Sequence, residues 1–134
     1  MDKKMLISAA VDVRKNAYAP YSGFSVGAAL LTKSGEIFTG CNVENISYRL
    51  TVCAEQTALA SAVAQGHRDF VSIAVAADSN QPIVPCGACR QMLAEFNPSL
   101  SVIMVTTTGK EEEATLSNLL PRPSQGILES KRNV

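Results

Sequence analysis

Thr51-Val52-Cys53-Ala54-Glu55-Gln56 and Pro85-Cys86-Gly87-Ala88-Cys89-Arg90-Gln91 are the two stretches on which the reading of this chain turns. Cys53 opens an alanine-rich apolar run, 54–64, that predicts a helix ending at Gly66. Cys86 to Phe96 is predicted as the next helix, stopped by Asn97-Pro98. Val71–Ala77 lies between them and Ser101–Thr107 follows, each a short apolar run of buried-strand character.

Working outward, Leu6, Ala9, Ala10 and Val13 recur at helical spacing, which predicts a helix over Met1–Tyr18 ended by Pro20. Tyr21–Phe24 reads as a loop. Val26–Thr32 and Ile37–Cys41 read as two strands joined by the turn Lys33-Ser34-Gly35-Glu36. Asn42–Thr51 and Asp78–Pro85 are polar or turn-rich loops. Gly109–Glu113 reads as a charged turn and Thr115–Leu120 as a short helix before Pro121. The tail from Arg122 reads as loosely ordered, with room for a fifth short strand before or within it. The order α-β-β-α-β-α-β predicts an α/β fold, one mixed sheet with helices on both faces. At 134 residues the chain is expected to be a single domain, 1–134.

Cys86 and Cys89 carry the C-x-x-C spacing that brings two sulfurs to one ion from a single turn, and the fold would have to bring in Cys53. Three thiolates leave one corner of a zinc tetrahedron open, which is the arrangement of a catalytic site. Glu55, two residues after its cysteine, is placed to move protons beside the metal without binding it. Cys53 and Cys86 both fall at predicted helix starts, where unpaired amides and the helix dipole favour thiolate.

The C-A-E stretch followed by P-C-x-x-C resembles zinc nucleoside deaminases. Asn42-Val43-Glu44-Asn45 and the stretch Tyr21-Ser22-Gly23-Phe24-Ser25-Val26-Gly27-Ala28-Ala29-Leu30 resemble the small three-cysteine cytidine deaminases in particular. The likeness runs from about Ala17 to Pro121. It implies a three-layer α/β/α sandwich with one mixed sheet of about five strands. It also implies one zinc ion per chain on Cys53, Cys86 and Cys89, with Glu55 as the catalytic proton shuttle. The implied reaction is hydrolytic deamination of cytidine and deoxycytidine, as in pyrimidine salvage. Phe24 is implied to pack on the pyrimidine, Asn42 and Glu44 to hold the ribose, and the Ala54 backbone to contact the base. A homotetramer with shared sites is implied too. The sequence departs from the family in two places. Gln56 stands where an arginine normally follows the glutamate, and is expected to donate a hydrogen bond to a thiolate beside the metal, with Arg49 as a candidate for the missing charge. No aromatic follows Leu119-Leu120-Pro121. That second departure keeps open a deaminase of another cytosine-like compound, such as blasticidin S.

Zero net charge, from twelve basic and twelve acidic residues, argues against a nucleic-acid partner, which requires a basic footprint. No run approaches membrane-spanning length, and no secretory signal is evident at the start. The expected setting is therefore cytoplasmic, with four reduced cysteines rather than two disulfides. The competing reading is a structural zinc site in a non-enzymatic module, closed by Cys41 or His67. Against it, Cys41 reads as a small buried apolar residue and His67 as a surface or C-cap residue after Gly66.

Overall fold

The computed structural model describes residues 3–125. Its elements are α1 (Lys3–Val13), β1 (Val26–Thr32), β2 (Ile37–Cys41), α2 (Ala54–Ala64), β3 (Phe70–Ala77), α3 (Gly87–Phe96), β4 (Ser101–Thr106), β5 (Glu111–Thr115) and α4 (Leu116–Leu119). The strands form one five-stranded sheet in the order β2-β1-β3-β4-β5. β3 and β4 run parallel, and every other neighbouring pair is antiparallel.

Side chains alternate across a strand, so each inner strand feeds two cores. Leu30, Ile73, Val75, Val102 and Met104 pack on one face beneath α2 and α3, with Ala58, Leu59 and Leu93. Ala29, Leu31, Ala74, Ala76, Ile103 and Val105 pack on the other face against Leu6 and Ala10 of α1. Burial on both faces explains the unbroken apolar runs of β1 and β3. The expected three layers, α1 on one side and α2 with α3 on the other, are thus present.

Two glycines set how closely the helices sit. A Cβ on Gly27 would lie 2.1 Å from Ala10 O of α1, and one on Gly40 would lie 2.3 Å from Ala58 N of α2. Neither helix could rest where it does on a strand carrying a side chain there.

Three sequence expectations are corrected. α1 stops at Val13 and a 3-10 turn, Arg14–Asn16, follows. Tyr18 is instead drawn into a bridge with Val43. Residues 110–113 are not a turn: after a tight turn at Gly109, Glu111–Thr115 is the edge strand β5, paired with β4. Its glutamates are exposed and Lys3 pairs with Glu113 at 2.9 Å, so the charge that masks the strand in sequence also protects an open sheet edge. The third correction shortens the last helix to Leu116–Leu119. The expected helix start at Met1 and the tail beyond 125 lie outside the described residues.

Candidate metal and active centre

β2 and β3 both point the same way, being each antiparallel to β1, and α2 and α3 follow their C-terminal ends. Both helices therefore begin at one edge of the sheet, the edge where open α/β sheets gather ligands. Cys53 is the N-cap of α2 and Cys86 the N-cap of α3, each with extended backbone. Their carbonyls accept the first helical bonds, from Thr57 N–H at 3.1 Å and Arg90 N–H at 2.9 Å. Cys89 follows within the first turn of α3, buried.

The three sulfurs lie within 4.8 Å of one another, with Cys53 Sγ 3.9 Å from Cys86 Sγ and Cys86 Sγ 3.4 Å from Cys89 Sγ. A tetrahedral zinc with bonds of about 2.3 Å holds its sulfurs about 3.8 Å apart, so this donor set fits the ion. The cluster already favours a thiolate: hydrogen bonds from Cys89 and Cys86 draw the Cys53 thiol down to about 6. Cys89 is pushed up, first by giving that hydrogen bond and then by its burial. Cys41 is not one of the cluster. His67 sits at the far end of α2, in the Schellman turn made by Gly66 N–H to Val63 O and His67 N–H to Ala62 O. Its ring pairs with Glu36 at 2.7 Å and packs on Phe38. Neither alternative fourth ligand reaches the sulfurs, so the open corner stays open among the described residues.

Glu55 is only 5% exposed, and burial, reinforced by the nearby Cys53 sulfur, pushes its carboxyl up to about 7. It lines a cavity of about 200 Å³ together with Cys53, Cys86 and Asn42. Ala54 and Thr51 complete the floor, and Val26, Ile83 and Val84 form apolar walls. A wider groove of about 480 Å³ over α2 and α3, around Leu59, Met92 and Phe96, carries no ligand cluster and no water-activating group beside one.

The other expected site residues are placed less simply. Asn42 lines the cavity, but its amide is also a clamp: Oδ1 accepts Val26 N–H and Nδ2 donates to Phe24 O, both at 2.8 Å. Glu44 is buried two residues after Asn42 without lining the cavity, and accepts hydrogen bonds from Tyr21 N–H, Ser22 N–H and the Ser22 hydroxyl. The Ser22 hydroxyl, followed by the two amides, holds its carboxyl below the usual range. Phe24 is 38% exposed and stands outside the cavity lining.

Gln56 departs from expectation. Its Oε1 accepts the Cys53 backbone N–H at 3.0 Å while the Cys53 sulfur takes the Gln56 N–H, a capping box. The side chain thus fixes the backbone of a ligand rather than donating to a thiolate. Arg49 lies exposed on the 3-10 turn Tyr48–Leu50 and makes no hydrogen bond or ion pair with the cluster. Sequence reasoning missed Ile83 and Val84, two apolar residues in a loop otherwise rich in turn formers, and Ser22, whose partner lies 22 residues away.

Comparison with known proteins agrees with this geometry. Residues 1–106 match the family described as the cytidine and deoxycytidylate deaminase zinc-binding region. A cytidine deaminase of Halalkalibacterium halodurans is 52% identical over 122 residues, covering 90% of this chain and 92% of the relative. A crystal structure of cytidine deaminase from Burkholderia pseudomallei superposes with a TM-score of 0.89 at 50% identity, covering 91% of this chain and 98% of that one. A blasticidin-S deaminase of Bacillus cereus is more distant, 36% identical over 72% of this chain and 74% of the relative. With three sulfurs at two helix starts, a buried glutamate beside them and a family profile spanning both motifs, the chain belongs to the zinc-dependent cytidine and deoxycytidylate deaminase family.

Proposed function

We propose that the protein deaminates cytidine and deoxycytidine hydrolytically. The observation that carries this is the convergence of Cys53, Cys86 and Cys89 with buried Glu55 on one small cavity. Cys53, Cys86 and Cys89 would hold a zinc ion, which would supply a water acidic enough to lose a proton near neutral pH. Glu55 would take one proton from that water and pass it to the ring nitrogen, then carry the proton of the newly bonded hydroxyl to the amine as the C–N bond breaks and ammonia leaves. The apolar walls Val26, Ile83 and Val84 suit a flat ring and exclude bulk water. The Ala54 backbone contacts the base, Asn42 and Glu44 take ribose hydroxyls, and the exposed Phe24 ring closes over the pyrimidine. The higher identity to cytidine deaminases than to the blasticidin-S enzyme favours the nucleoside.

We place the protein in the cytoplasm, in nucleoside salvage, as a homotetramer. No helix among the described residues is long and apolar enough to cross a membrane. Ile46, Tyr48 and Leu50 are 84%, 71% and 64% exposed beside the 42–44 strip, an apolar surface of the kind that another copy covers. The cavity of about 200 Å³ is also smaller than the roughly 300–1,000 Å³ common for ligand pockets, which suits a site finished by a neighbour.

The test is ammonia release from cytidine, deoxycytidine, cytosine and blasticidin S by zinc-loaded and chelator-treated protein. Zinc-dependent turnover of both nucleosides, with cytosine poor, is expected. No turnover of cytidine by zinc-loaded protein would refute the proposal.

A further inference from the structure

Glu44 is 6% exposed, and three of the four acceptor positions of its ionised carboxylate are already filled by its own chain. Oε1 accepts Tyr21 N–H at 3.0 Å and Ser22 N–H at 3.1 Å. Oε2 accepts the Ser22 hydroxyl, whose oxygen in turn accepts Phe24 N–H at 3.0 Å. The two amides hold Oε1, and because rotation about Cγ–Cδ moves both oxygens they already restrain the terminal torsion, whose own preference is broad and shallow. The Ser22 hydroxyl is the contact to the second oxygen, so with it the carboxylate plane is held through both oxygens.

We propose that Ser22 is the positioning residue of the sugar site: its hydroxyl, bridging Phe24 N–H and Glu44 Oε2, locks the carboxylate so that one fixed acceptor faces a ribose hydroxyl. This rests on the reading of Glu44 as a ribose contact. An ionised carboxylate only accepts, so the ligand group opposite it must be a donor. A hydroxyl fits, and a sugar lacking its 2′ and 3′ hydroxyls leaves a buried acceptor unmatched, which makes the discrimination steep. Ser22 also ties this acceptor to the loop that carries Phe24, so ribose and base contacts are set by one side chain. The depressed Glu44 carboxyl agrees, since Ser22 leads its causes.

The experiment compares kcat/KM for cytidine and 2′,3′-dideoxycytidine in zinc-loaded wild type, Ser22→Ala, Ser22→Thr, Glu44→Ala and the double variant Ser22→Ala/Glu44→Ala. Ser22→Ala is expected to lower the cytidine-to-dideoxycytidine ratio roughly tenfold to 150-fold, the weight of a hydrogen bond to a charged group, with the loss in KM rather than kcat. Ser22→Thr keeps the hydroxyl and is expected to keep most of the ratio. In the Glu44→Ala background the serine change should add nothing, because the two act as one unit. An equal loss on both substrates, a loss in Ser22→Thr as large as in Ser22→Ala, or additive effects in the double variant would each overturn the positioning role. These outcomes are separate from failure of the functional reading, which would appear as inactivity of the wild type on cytidine.

Discussion

Adding one methyl at Gly40 is expected to disable the site from behind. The new Cβ would lie 2.2 Å from Thr57 Oγ1, 2.3 Å from Ala58 N and 2.6 Å from Ala54 O. A threonine hydroxyl can swing away, but the other two atoms are helix backbone, so α2 must move as a body. Reaching ordinary van der Waals separation requires a retreat of roughly 1 Å. Overpacking of this kind costs about 1–3 kcal/mol. For a domain of this length that is a drop in Tm of roughly 3–15 °C. The retreating helix carries Cys53 at its N-cap and Glu55 in its first turn. The 3.9 Å between Cys53 Sγ and Cys86 Sγ would open past the tetrahedral spacing. A misplacement of roughly 1 Å costs up to about 10²-fold in turnover.

Gly27→Ala is the matched control. Its Cβ would meet Ala10 O of α1 at 2.1 Å and Arg14 N of the turn after it at 2.8 Å, an equally severe clash, but on segments that bear no site residue. Both variants should melt early in the zinc-free form. Only Gly40→Ala should also lose the increment in Tm that zinc adds to the native state, and only it should lose turnover out of proportion to its folded fraction. Thermal melts with and without zinc, together with kcat on cytidine, make the comparison. Equal zinc increments and equal kcat losses in the two variants would show that the contact at Gly40 stabilises the fold without positioning the site.

Glu55→Gln should keep its zinc and its melting temperature but lose at least about 10²-fold in kcat, read by ammonia release. Metal analysis should find one zinc per chain in Cys41→Ser and almost none in Cys86→Ser. Gln56→Ala removes a cap and should cost about 1 kcal/mol and weaken zinc retention against a chelator, because the N-cap amide it holds belongs to a ligand. Light scattering should return a mass near four times 14.2 kDa, and a monomer mass at working concentration would contradict the proposed tetramer.

What the sequence made legible follows from how local each signal is. Both ligand helices announce themselves because each cysteine is followed by helix-compatible residues and each helix ends on a strong stop, Gly66 or Asn97-Pro98. β5 was hidden because its glutamates look like a solvated turn, and what makes them a strand is the open edge of β4, which no local window contains. The end of α1 was overrun because its residues are helix-compatible up to Tyr18, and the competing bridge to Val43 is a tertiary contact. Ser22 stands in the same position. A serine beside a glycine reads as a loop residue until the fold brings Glu44 to it.

Gln56 bears on the charge of the centre. Three thiolates around zinc carry a net negative charge, which weakens the ion's pull on water unless something offsets it. The two side chains considered from sequence do not supply the offset: Gln56 is neutral and occupied with the Cys53 amide, and Arg49 is exposed without a contact to the sulfurs. What the structure does provide is a pair of helix N-termini aimed at one point. Cys53 caps one and Cys86 the other, so two ligands sit at the positive ends of two helix dipoles, and Cys89 lies within the first turn of the second. Gln56 serves this arrangement indirectly, since the capping box holds the first turn of α2 in register with its cysteine. Within one chain, the compensation offered to a bound zinc is therefore that of the backbone at the two helix starts, tied to the geometry of α2 and α3. The same close contacts that place the ligands, Gly40 against α2 above all, would then also influence how strongly a bound zinc acidifies its water.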